Sequence, residues 1–160
     1  MSYWVVDFEA SGLNKSSYPI EVGVSNGVVN YSSLIRPMSH WTSWDMNSEK
    51  VHNIPHELLL SSGNSSLSVA IELNNLLKYS IVYCDNIHWD KFWLNVLFSD
   101  NGFSPSFKLF DIKDILKLDE HWIKYEAKIT ELISTPQYKQ HRALDDAKVI
   151  HSALTYSLSP

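Results

Sequence analysis

Apolar positions along this chain fall into short runs whose period changes about halfway through. Tyr3 to Asp7 is a compact apolar strand, and Ile20 to Ser25 and Val28 to Ile35 are two more, joined at Asn26-Gly27. Asn-Gly between such runs is a strong hairpin signal, because both turn residues tolerate positive φ. The first ~35 residues are therefore expected to form three antiparallel strands. Pro37 to Ser66 has no sustained period and reads as irregular, apart from a short turn over Glu57 to Leu60. A long irregular stretch within a compact domain is often functional. Beyond it the period becomes helical. Ser66 to Tyr79 sets Val69, Leu73, Leu76 and Leu77 on one face. Ser80 to Cys84 reads as a strand, Trp89 to Phe98 as an amphipathic helix and Phe107 to Phe110 as a short strand. Ile112 to Leu118 and Trp122 to Ile133 read as helices, and a final helix over Ala143 to Tyr156 carries the stripe Ala143, Ala147, Ile150, Leu154. No repeat or linker divides residues 1–160, so one domain is expected. Its class is α/β, with a mixed five-stranded sheet, three antiparallel strands first, and helices on both faces.

Composition supports a packed core. The 160 residues are 44% hydrophobic and 19% charged, with only 5 Gly and 6 Pro, which excludes disordered and low-complexity classes. Cys84 is the only cysteine, so neither an internal disulfide nor a cysteine-cluster zinc site is available. The N-terminal residues lack a basic region and no apolar run approaches a membrane span, so a soluble cytoplasmic protein with no membrane partner is expected. The net charge of −5 argues against gripping long nucleic acid by its backbone, which favours basic surfaces.

The acids are placed pointedly. Asp7 and Glu9 end the first strand and, two residues apart, share a face. Two carboxylates there are costly without a positive partner. Small residues follow, Ala10-Ser11-Gly12, which let backbone approach a ligand. In the last helix, Asp146 falls about 70° from the apolar stripe and Asp145 about 170°, so Asp146 borders the buried face while Asp145 faces solvent. Asp85, Asn86 and Asp90 follow the strand ending at Cys84, a place where sites gather in open sheets. Position alone leaves open which of Asp85 and Asp90 turns inward. Carboxylates at three element ends suit hard cations such as Mg²⁺ or Mn²⁺, and a cation pair is a device for in-line attack on a phosphodiester.

Together these residues resemble the DEDDh 3′–5′ exonucleases, the group of polymerase III proofreading subunits, ribonuclease T and oligoribonuclease, which belongs to the ribonuclease H-like superfamily. Asp7-Phe8-Glu9-Ala10-Ser11-Gly12-Leu13 is similar to the first motif, Asn86-Ile87-His88-Trp89-Asp90 to the second and His141-Arg142-Ala143-Leu144-Asp145-Asp146 to the third. The motifs stand in family order and span nearly the whole chain. The resemblance implies a ribonuclease H-like fold and hydrolysis of phosphodiesters at 3′ ends of single-stranded DNA or RNA. It implies that Asp7, Glu9, Asp90 and Asp146 hold two Mg²⁺ or Mn²⁺ ions and that His141 is the general base. It further suggests substrate contacts from Ala10, Gly12 and Leu13, from Asn86, and from His52 and Ile54 in the segment beside the substrate groove. Cys84-Asp85 departs from the pair usual before the Asn, which makes Asp85 a fallback ligand.

Two bound divalent ions would offset most of the −5 charge where phosphate must sit. The absence of basic stripes favours short or unpaired ends, with grip supplied by a homodimer or partner subunit. A catalytically inactive nucleic-acid-binding module and a small-nucleotide phosphohydrolase are the alternatives. His52 and His56 have zinc-ligand spacing only on a continuous helix, which Pro55 disfavours. Trp41 and Trp44 read equally as base-stacking platforms or as a loop's own small core. Trp89, Phe92 and Trp93 read as core, and His151, late in the final helix, as solvated or as a residue complementing the C-terminal helix dipole.

Overall fold

The computed structural model describes residues 3–159. Its strands are β1 (Trp4–Ala10), β2 (Pro19–Ser25), β3 (Asn30–Arg36), β4 (Asn64–Ser65), β5 (Ile81–Cys84) and β6 (Lys108–Asp111). Its helices are α1 (Met46–His52), α2 (His56–Ser62), α3 (Ser66–Leu77), α4 (Ile87–Ser99), α5 (Asp119–Ile133) and α6 (Ala143–Ser157). The sheet order is β4-β3-β2-β1-β5-β6. β1, β2 and β3 pair antiparallel, while β5 runs parallel to β1 and β6 parallel to β5. The sheet thus has six strands rather than the expected five. The extra strand, β4, is two polar residues pairing with Ile35 and Arg36, too short to leave a pattern in the sequence.

β1 sorts the two faces of the sheet. Val6, Phe8 and Ala10 join a core with Ile20, Val22 and Val24 of β2 and with residues of α3 and α4. Val5 packs on the opposite face against Tyr125 of α5 and Ala147, Ile150 and Leu154 of α6. Alternation puts Asp7 and Glu9 on the Val5 face, at the end of the strand that α5 and α6 cover. α6 lies directly on the sheet at Gly23, where a Cβ would stand 2.1 Å from the Ala143 carbonyl carbon.

Several boundaries differ from the sequence expectation. Val28 and Val29 are turn residues, not strand: Asn26 N–H donates to the Val29 carbonyl at 3.1 Å, and the Asn26 side chain accepts from both valine amides. Only one residue of the expected Asn-Gly pair goes left-handed, Gly27 at φ 84°. The stretch read as irregular holds α1 and α2. Each is seven residues long, too short to declare a helical period, and they are separated by left-handed Asn53 (φ 54°) and by Pro55. The helix expected over 112–118 shrinks to one 3-10 turn over 112–114, capped at its start by Asp111 with Asp114 reaching back to the Asp111 N–H. Among the described residues, no helix is long and apolar enough to cross a membrane.

Candidate active site

Three element ends meet beside β1. Asp7 and Glu9 come from β1, whose register shifts after Glu9. Asp85 follows β5, and Asp90 sits in the first turn of α4, only 2% exposed. Asp146 stands in the first turn of α6, with His141 just before that helix in a left-handed conformation at φ 59°. Ligand-capable atoms of Glu9, His141 and Asp146 all lie within 4.8 Å of one another, as do those of Asp7, Asp85 and Asp90. The two groups line one cleft of about 500 Å³. The five residues carried by the three motifs are therefore brought together, and Asp85 joins them.

The cleft is acidic and poorly compensated. Burial, then the charges of Asp90 and Glu9, holds the Asp7 carboxyl well above its usual range. Burial, then Asp146, lifts Glu9 to about 8, and burial with Asp85 lifts Asp90 to about 8. Burial raises Asp146 to about 6 despite the opposing effect of His141. Asp90 Oδ2 is buried with no hydrogen-bond partner. Carboxylate oxygens in two groups, one of them orphaned, fit hard divalent cations, which take oxygen ligands and would lower all of these values.

Of the expected substrate contacts, Ala10, Gly12, Leu13, His52 and Asn86 line the cleft, with Leu13 66% exposed at its rim. Ile54 does not. It is 1% exposed within the hydrophobic core, so its side chain is not available to a ligand. Its contribution is indirect, because the Ile54 N–H donates to His52 Nδ1 at 3.0 Å. That bond makes the His52 Nε2 the protonated nitrogen, and it is buried without a partner.

Asp145 neither enters the cleft nor floats in solvent: it is half-buried and accepts from the Lys139 N–H at 3.0 Å, closing the loop that carries His141. His151 is also half-buried rather than solvated, its ring against Gly27. Trp41 stacks on Tyr18 at 5.3 Å and donates to Asp100, and Trp44 donates to Glu49, so both serve the loop's own core. His52 and His56 lie on separate helices, which removes their zinc spacing. Trp93 is core as expected, whereas Trp89 and Phe92 are half-buried. They line a second groove with Lys15, His88 and Lys91 that meets the first at Leu13.

Sequence reasoning missed Glu21 and Arg142. Glu21 lies opposite Glu9 across β1 and β2, is 4% exposed, and receives both Nε and a 2.6 Å Nη2 bond from Arg142. It also accepts from the Ala143 N–H at 3.0 Å. A lone Glu within the apolar β2 run was the one signal; a buried acid there requires a partner.

No protein-family model and no curated protein matches the chain in sequence. Solved structures do match in fold. Exonuclease I from Methylocaldum szegediense superposes with a TM-score of 0.74 at 13% identity, over 99% of this chain and 41% of that one. E. coli exonuclease I in complex with an oligonucleotide gives 0.73 at 11% identity, over 96% and 40%. Its zinc-bound complex with single-stranded DNA gives 0.71 at 10%, over 97% and 40%. The fold is ribonuclease H-like. The chain spans about 40% of the length of these structures.

Proposed function

We propose that this chain is a metal-dependent 3′–5′ exonuclease acting on single-stranded DNA or RNA. The observation that carries the reading is the pair of ligand groups, Glu9–His141–Asp146 and Asp7–Asp85–Asp90, facing one cleft on the fold of exonuclease I. Asp7, Glu9, Asp90 and Asp146 would hold two Mg²⁺ or Mn²⁺ ions. Bound there, such ions polarise the phosphoryl oxygens and offset the charge of the displaced oxygen.

The rest falls to the chain's own side chains. His141, exposed in the loop before α6, accepts the proton of the attacking water at a ring nitrogen. Water oxygen bonds to phosphorus, the P–O3′ bond breaks, and the shortened chain leaves with a 3′-hydroxyl protonated from solvent. The product is a nucleoside 5′-monophosphate. Leu13 at the rim and the His52 Nε2–H in the wall hold the terminal nucleotide, the first by apolar contact and the second by donating to an acceptor.

The second groove supports a polymer over a mononucleotide as substrate. It continues from Leu13 with two lysines for phosphates and with Trp89, Phe92 and His88 for bases. The test compares 5′-labelled single-stranded oligomers, dinucleotides and nucleoside triphosphates in Mg²⁺ or Mn²⁺. Mononucleotide release from oligomers and dinucleotides is expected. Hydrolysis of triphosphates alone would point to a small-nucleotide phosphohydrolase, and no hydrolysis with retained oligomer binding to an inactive module.

A further inference from the structure

The second carboxylate group contains a residue that the two-ion reading does not use. We propose that Asp85 is a direct ligand of the cation held by Asp7 and Asp90, making a metal centre of five carboxylates; this rests on the metal-dependent reading above. The topology sets it there. β5 runs parallel to β1 with Val5 beside Tyr83, so two residues further along both strands stand Asp7 and Asp85. Carboxylate oxygens of Asp7, Asp85 and Asp90 lie within 4.8 Å of one another, close enough to share one cation.

An acidic cluster alone would not establish a ligand. The second observation is Asp90: it is 2% exposed, lines the cleft, and leaves Oδ2 buried without a hydrogen-bond partner. An ionised carboxylate oxygen at that depth is costly without a positive partner, and a cation bound in the cleft would supply one. The Asp85 carboxylate is engaged by its own backbone N–H and feels the Lys113 charge, but no side chain pairs with it among the described residues. Among the described residues it forms no ion pair, and the nearby Lys113 ammonium lies 3.9 Å from Asp111 instead. Asp85 is also exposed, so it extends the ligand set to the solvent side of a cation that Asp90 holds from beneath. Three carboxylates on one ion favour tight capture, with Asp85 the ligand that closes the site.

The experiment is a Mn²⁺ titration of the full chain by isothermal calorimetry, with wild type, Asp85→Asn, Asp85→Ser and Asp146→Asn compared. Circular dichroism checks the fold of each. Wild type is expected to bind two equivalents. Both Asp85 variants should weaken one class of site by about tenfold or more, while Asp146→Asn weakens the other. Unchanged isotherms in both Asp85 variants, with two sites in wild type, would overturn this assignment and leave the exonuclease reading standing. A wild-type chain that binds no Mn²⁺ would overturn both.

Discussion

Glu21 and Arg142, 121 residues apart, form a two-armed ion pair that ties β2 to the start of α6, with the shortest arm at 2.6 Å. The same carboxylate caps the helix by accepting from Ala143 N–H. His141 precedes this anchor and Asp146 follows it by one helical turn. The pair therefore holds both groups toward Glu9, itself the cross-strand partner of Glu21.

Removing one arm should loosen that arrangement. Glu21→Gln keeps the shape but loses the charge, and is expected to lower kcat with little change in KM. Stability should fall by about 1–3 kcal/mol, less than for a fully buried pair because the arginine is partly exposed. Arg142→Lys should recover part of the rate, since it keeps charge but not the fork. Steady-state kinetics with thermal unfolding checks this; a wild-type rate in Arg142→Lys would count against the fork, and losses equal to those of Arg142→Ala against any contribution from charge alone.

The contact at Gly23 gives a stronger prediction. Any side chain there meets the Ala143 and Leu144 backbone at about 2.1–2.3 Å, which no rotamer relieves. Gly23→Ala should push α6 away from the sheet, destabilise the chain by several kcal/mol and abolish activity. Thermal unfolding with a native-like midpoint would show that the helix sits elsewhere.

Metal-free stability should depend on pH with a definite sign. Glu9 and Asp90 titrate at about 8 in the folded chain and near 4.5 and 3.8 when unperturbed, so between pH 7 and 9 the folded state releases protons that the unfolded state has already lost. Stability of the metal-free chain must then fall as pH rises through 8. His52 and His151, held below their usual value by burial, act oppositely but only below about 6.5. Mg²⁺ or Mn²⁺ should raise Tm more at pH 9 than at pH 7 under constant free metal, because the competing protons are gone. A Tm that rises from pH 7 to 9 without metal would contradict this.

The groove beyond Leu13 predicts a length-dependent defect. Lys15→Glu and Lys91→Glu should raise KM for oligomers and flatten its salt dependence, while leaving dinucleotide hydrolysis unchanged. Equal effects on both substrates would place the strand elsewhere.

Much of this was legible in the sequence. Alternation in β1 gave the shared face of Asp7 and Glu9, and the helical stripe of α6 chose Asp146 over Asp145. What stayed hidden was held by partners distant in sequence or by segments too short for a period. The Glu21–Arg142 fork, the two-residue β4 and the seven-residue α1 and α2 are of these kinds. Ile54 was misplaced because an apolar residue in an irregular segment looks the same whether it faces a groove or the core.

The most direct measurement is digestion of a 5′-labelled single-stranded oligomer by wild type and Asp7→Ala side by side, with Mn²⁺ and then with chelator. The expected result is a ladder shortening from the 3′ end for wild type, lost on chelation and absent in the variant. Intact oligomer with wild type and metal, or an undiminished ladder from Asp7→Ala, would contradict it.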